Sequence, residues 1–179
     1  MTKNFSEKSK RFFFPPKRGF TLIELLVVVA IIGVLASIVM VALSDARGKG
    51  ADASVKTNLD TIRGQAELFA SNNNNSFLPA GGSVFDIDVC PVYNASGTNM
   101  LSKDKTIADA IAEAKNRGNG SICYNSSSAW VAVVGLKTGG TAGDATPDSW
   151  CVDSGGAGKA YTWPAGETIS DSINVSVCS

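Results

Sequence analysis

The sequence predicts an α+β fold in which a long amino-terminal helix packs its second half on a small antiparallel sheet. Three observations carry this. Residues Phe20 to Leu43 form an apolar run broken only by Thr21, Glu24, Gly33 and Ser37. Val55, Leu59, Ile62, Ala66 and Phe69 then recur at spacings of four, three, four and three, one apolar stripe on a helix. Beyond Gly118, short β-prone segments alternate with turn-rich ones. The chain has 179 residues, room for one domain with a modest core.

Charge is divided along the chain, although the formal total is zero. Residues 1–19 carry six bases (Lys3, Lys8, Lys10, Arg11, Lys17, Arg18) and one acid, Glu7. The remainder carries ten bases and fifteen acids. A basic head before an apolar run keeps the head in the cytoplasm and sends the acidic body across the membrane. Residues 1–19 are not an ordinary secretory signal, which needs an apolar stretch between its bases and its cut site. Here Phe12, Phe13 and Phe14 meet Pro15, Pro16, Lys17 and Arg18 at once, and the apolar stretch starts only after Gly19.

As a helix, Phe20 to Leu43 would be about 36 Å long at roughly 1.5 Å per residue, enough for a hydrocarbon core of about 30 Å. It holds no proline. Its β-branched residues are no obstacle, because in lipid the backbone must bond to itself. The helix is expected to continue to about Ser71, roughly 75 to 80 Å in all. Lys56, Asp60, Arg63 and Glu67 on its other face are spaced for local pairing. Gly48 and Gly50 are its expected weak point, and the run Asn72 to Asn75 ends it.

After Pro79, Gly81 and Gly82, a second helix is expected over Lys103–Arg117, with Ile107, Ile111 and Ala114 inward and Gly118 as its stop. Expected strands are Ser121–Tyr124, Ala129–Leu136, Trp150–Asp153, Ala160–Trp163 and Ile173–Val177, with turn-rich Thr138–Asp148 and Ser154–Gly158 between them. The expected layout is a basic leader at 1–19, a membrane half-helix at 20–43, an amphipathic half-helix at 44–73 and a globular head at 74–179.

Cys90, Cys123, Cys151 and Cys178 all follow the apolar run, and an even count outside the cytoplasm implies two disulfides. Three pairings are open. Cys90–Cys123 with Cys151–Cys178 is the expected one, each loop stabilising the head by about 3 to 4 kcal/mol. With no histidine and no CxxC pair, no zinc site is expected, nor any other metal or cofactor. Asp86, Asp88, Asp144, Asp148 and Asp153 raise the question of calcium, but match no ordered ligand loop. Asn94-Ala95-Ser96, Asn125-Ser126-Ser127 and Asn174-Val175-Ser176 fit the glycosylation acceptor pattern, which arises readily in so Asn- and Ser-rich a chain. Trp130, Trp150 and Trp163 are expected in the core or on the sheet. No nucleophile, base or phosphate-loop pattern supports an enzyme.

The junction Lys17-Arg18-Gly19-Phe20-Thr21-Leu22-Ile23-Glu24-Leu25-Leu26 decides between readings. It closely resembles the amino-terminal signature of type IV prepilins and of the pseudopilins of type II secretion, from Lys17 to about Leu43. The resemblance implies a peptidase cut between Gly19 and Phe20 and methylation of the new amine on Phe20. Gly19, without a side chain, suits an extended backbone in a protease, and Lys17 and Arg18 would hold the bond at the cytoplasmic face. A lone carboxylate at the bilayer centre costs at least about 2.5 kcal/mol. Glu24 would stand one turn from the new terminus, placed to pair with the Phe20 amine of a neighbouring copy. One departure stands out: the family's usual proline in the second half of the run is absent near Val41.

The expected product is therefore a structural subunit that waits in the inner membrane and then joins an extracellular filament. Its implied partners are copies of itself and other pilin-like subunits, the prepilin peptidase/methyltransferase, the inner-membrane assembly platform and the lipid bilayer. No nucleic acid is expected. The alternatives are a pseudopilin of a type II secretion system and a single-span membrane protein with a ligand-binding head.

Overall fold

The structure is a computed structural model that describes residues 19–174 and 177–178. Its first element, α1 (Leu22–Ser71), is one unbroken 50-residue helix. Gly19 to Ala42 lie in one compact unit and Leu43 onward in a second. In the first, every residue is exposed. In the second, α1 buries Val55, Leu59, Ile62, Ala66 and Phe69, the whole apolar stripe.

The helix does not loosen at its glycines. Gly48 and Gly50 are both helical, and Gly48 is a seat for the head, because a methyl group there would press on the Thr138 methyl. Just beyond, the carboxylate of Asp52 accepts from the Lys137 and Thr138 amides and from the Thr138 hydroxyl. Asn74 and Asn75 then end α1 in the left-handed conformation, each at φ 57°. Asparagine tolerates that region better than most side chains do. The Asn75 amide closes back on the Ala70 carbonyl at 2.9 Å.

The head builds a five-stranded antiparallel sheet in the order β1-β2-β3-β4-β5. Its strands are β1 (Phe85–Asp88), β2 (Ser121–Asn125), β3 (Trp130–Gly135), β4 (Ser149–Asp153) and β5 (Gly158–Tyr161). One short helix, α2 (Met100–Lys103), precedes α3 (Lys105–Arg117). The break between them is Asp104, whose carboxylate caps α3 at the Ile107 amide and also receives Gln65 of α1. α3 turns Ile107, Ile111 and Ala114 inward, into one core with the α1 stripe and Ala132, Val134 and Val152 of the sheet.

Three expectations needed correction. β1 was not foreseen: Phe-Asp-Ile-Asp does alternate as a strand does, but over only four residues, and Asp is disfavoured in strands. Ala160–Trp163 shifts to Gly158–Tyr161, stopping short of Trp163 and Pro164. The single strand Ile173–Val177 is instead two, β6 (Ile173–Asn174) and β7 (Val177–Cys178), paired antiparallel. With a 3-10 turn over Ile169–Ser172, that pair covers the outer face of the sheet. Val131, Val133, Cys151, Ile173 and Cys178 form a second core there, so β3 is buried on both faces.

Gly50 has open space where a methyl would go, whereas Gly48 faces Thr138. Gly50→Ala is therefore expected to stabilise the head by about 0.5 to 1 kcal/mol. Gly48→Ala should gain nothing or lose stability, because the β-branched Thr138 is tied to Asp52. Thermal melting of the two variants checks the difference.

Candidate assembly and processing site

Thr21 and Glu24 form a capping box at the start of α1. The Glu24 amide donates to the Thr21 hydroxyl oxygen at 3.2 Å. The Glu24 carboxylate accepts from the Thr21 amide at 2.9 Å and from its hydroxyl at 2.8 Å. Two orphan amides of the first turn are satisfied in this way, and the acid sits at the positive end of the helix dipole. The pattern Thr-x-x-Glu was present in the sequence; reading Glu24 only as a charge awaiting another molecule overlooked it.

Phe20 projects freely, 89% exposed. Its nitrogen is a peptide nitrogen while Gly19 is attached, so the uncut chain offers Glu24 no amine there. A side chain at Gly19 would meet no atom within 4 Å. Lys17 and Arg18 lie outside the described residues. Further along, α1 is long and apolar enough to cross a membrane by length and composition. Its surface carries shallow apolar grooves. Glu24 borders one with Phe20, Ile23, Val27 and Val28, and Leu22, Leu25, Leu26 and Val29 border another.

The head residues named as candidates have structural work. Cys90 bonds Cys123 and Cys151 bonds Cys178, across separations of 33 and 27 residues. Asp148 is fully buried and accepts from the Gly140, Thr141 and Trp163 amides. Asp153 accepts from the Gly155, Ala157 and Cys178 amides. Their oxygens are thus already committed to backbone. Asp144 faces Thr146, whose hydroxyl and amide hold its carboxyl below the usual range. Asp86 and Asp88 each accept from the next amide along the chain.

Trp130 is core, edge-on to Phe77 at 6.5 Å. Trp150 lies under the Lys56 ammonium at 4.9 Å, and the Trp163 ring nitrogen donates to Ser172. Of Lys56, Asp60, Arg63 and Glu67, only Arg63 and Asp60 form an ion pair among the described residues, at 3.4 Å; Lys56 rests on Trp150 instead, and Arg63 also donates to the Ala157 carbonyl at 2.9 Å. Of the glycosylation patterns, Asn125 is buried, with its amide engaged by Met100 and Ser126. Asn94 is exposed.

A family model described as the prokaryotic N-terminal methylation motif matches residues 15–43. The chain is 31% identical over 118 residues to a fimbrial protein of Moraxella nonliquefaciens, covering 54% of this chain and 76% of that one. It belongs to the type IV pilin and fimbrial protein family. It is also 35% identical over 98 residues to the type IV major pilin protein PilA of Myxococcus xanthus (strain DK1622). That match covers 47% of this chain and spans 44% of the length of the Myxococcus protein. No solved structure matches the chain. The fold agrees with membership in the pilin family: a long apolar helix laid on an antiparallel sheet.

Loss of the cap is measurable. Thr21→Val removes the hydroxyl and should cost the first turn about 1 kcal/mol. Hydrogen exchange at the Glu24 amide in detergent micelles is expected to speed up about fivefold, by the same energy. The amides of Val34 and Leu35, two turns and more further on, should be unchanged.

Proposed function

We propose that this chain is a structural subunit, without catalytic activity, of a type IV pilin-like filament. It waits in the inner membrane with its head outside. A prepilin peptidase removes residues 1–19, and the new amine is methylated on Phe20. The assembly platform then lifts the subunit into the fibre. There the apolar half of α1 packs on copies of itself and on other pilin-like subunits.

The observation that supports this most is the unpartnered first half of α1. Every side chain from Gly19 to Arg47 is exposed, among them Leu25, Val29, Ile32 and Leu35. Burial of one such side chain is worth about 1.5 to 3 kcal/mol relative to water, so lipid or neighbours must cover them. Glu24 is the one charge between Phe20 and Leu43. Cleavage creates a cation one turn away. In the fibre Glu24 exchanges its cap for the Phe20 amine of the adjacent copy, which sets the axial stagger. Since heads repeat in one direction, the contact is head-to-tail and the fibre open-ended.

Two experiments check this. Mass spectrometry of the mature protein from its host is expected to find methylated Phe20 as the first residue; a stable product that retains Met1 would sink the proposal. Glu24→Val should insert into membrane at least as well as the parent chain but yield few or no fibres. Normal fibres from that variant would remove the pairing role of Glu24.

A further inference from the structure

One asparagine of this chain stands where its side chain can react with its own backbone. Asn119 precedes Gly120, and no other asparagine in the sequence precedes a glycine. Both residues are exposed, in the short link between α3 and β2. The Asn119 amide donates to the Gly135 carbonyl at 2.7 Å, and the Gly135 amide donates to the Gly120 carbonyl at 3.3 Å. Two residues thus oppose one, as in a bulge, and the Gly120 amide is left over. Among the described residues it has no acceptor.

A free amide next to an asparagine side chain is a nucleophile. Solvent hydroxide takes the Gly120 amide proton, and the nitrogen attacks the Asn119 Cγ. A C–N bond forms, the bond from Cγ to Nδ2 breaks, and Nδ2 leaves as ammonia with a proton from water, which restores the hydroxide. Water then opens the cyclic imide at either carbonyl, giving aspartate or isoaspartate. Gly120 favours the attack, since it has no Cβ to crowd the approach. One restraint opposes it: the Asn119 Nδ2 donates to the Leu136 carbonyl at 2.9 Å. A single such bond slows the reaction by only about fivefold. Asn125 is in the opposite condition, buried, accepting from the Met100 amide and donating to the Ser126 carbonyl.

We propose that Asn119 is a site of spontaneous deamidation and isomerisation in the folded head, and that its conversion loosens the junction of α3 with the sheet. The new carboxylate has no proton to give the Leu136 carbonyl, and isoaspartate adds an atom to the main chain. The junction has no room for one. A methyl group on Gly118 would collide with the Gly135 carbonyl, and one on Gly135 with the Asn119 carbonyl. On the filament reading the change accumulates in subunits already outside the cell, but the chemistry does not depend on that reading.

The test uses the full-length chain in detergent micelles at mildly alkaline pH. After reduction, cutting behind Arg117 and Lys137 gives one peptide that holds both Asn119 and Asn125. Mass spectrometry of its fragments locates the exchange of NH2 for OH. In the folded chain Asn119 is expected to convert at about one fifth of its rate in urea, while Asn125 stays intact. The aged chain should melt about 3 °C lower or more, and an Asn119→Gln chain aged beside it should keep its melting temperature. Folding that slows Asn119 by more than about tenfold, conversion of Asn125 at the same pace, or conversion of Asn119 that leaves melting unchanged overturns the proposal.

Discussion

A carboxylate in an apolar helix has to be satisfied in every environment that the helix enters, and Glu24 shows how this chain meets that demand. With Gly19 attached, it closes the capping box with Thr21, where both partners lie in one turn. The cap makes the acid tolerable near a membrane without any second molecule. After cleavage the same position would face a free amine one turn away, so one side chain can serve the waiting subunit and the assembled one. On the proposed reading, the exchange would require only a change of partner.

In the head, buried carboxylates also organise the fold, but with backbone as their partner. Asp52 fastens α1 to the segment after β3. Asp148 gathers Gly140, Thr141 and Trp163. Asp153 gathers the turn after β4 and Cys178 near the carboxyl end. Each replaces water for amides that no ladder reaches. Together with the two disulfides they hold a head rich in turns around two modest cores. This is the physical reason that acids suited by type to a cation are structural here.

Much of this was legible in the residues, and the misses have definite causes. The stripe from Val55 to Phe69 named the buried face of α1, since a period of 3.6 allows no other face. The continuous apolar run Trp130–Val134 pointed to β3, although burial on both faces followed only once β6 and β7 were seen behind it. β1 escaped because its alternation lasts only four residues and two of them are aspartates, which strands disfavour, so that pairing with β2 decides it. Gly48 was read from propensity alone, which cannot register a loop that needs the missing methyl. The function of Glu24 was read from charge, while its cap was written in plain sight three residues earlier, at Thr21.

The central claim is that Glu24 changes partner between the single subunit and the fibre. Fibres co-assembled from copies carrying 13C at the Glu24 carboxyl and copies carrying 15N at the Phe20 amine isolate the contact between molecules. Solid-state dipolar recoupling should find these nuclei within about 4 Å, the reach of an ion pair. A Glu24 carboxyl uncoupled from the labelled amine and still bonded to Thr21 of its own chain would contradict the account.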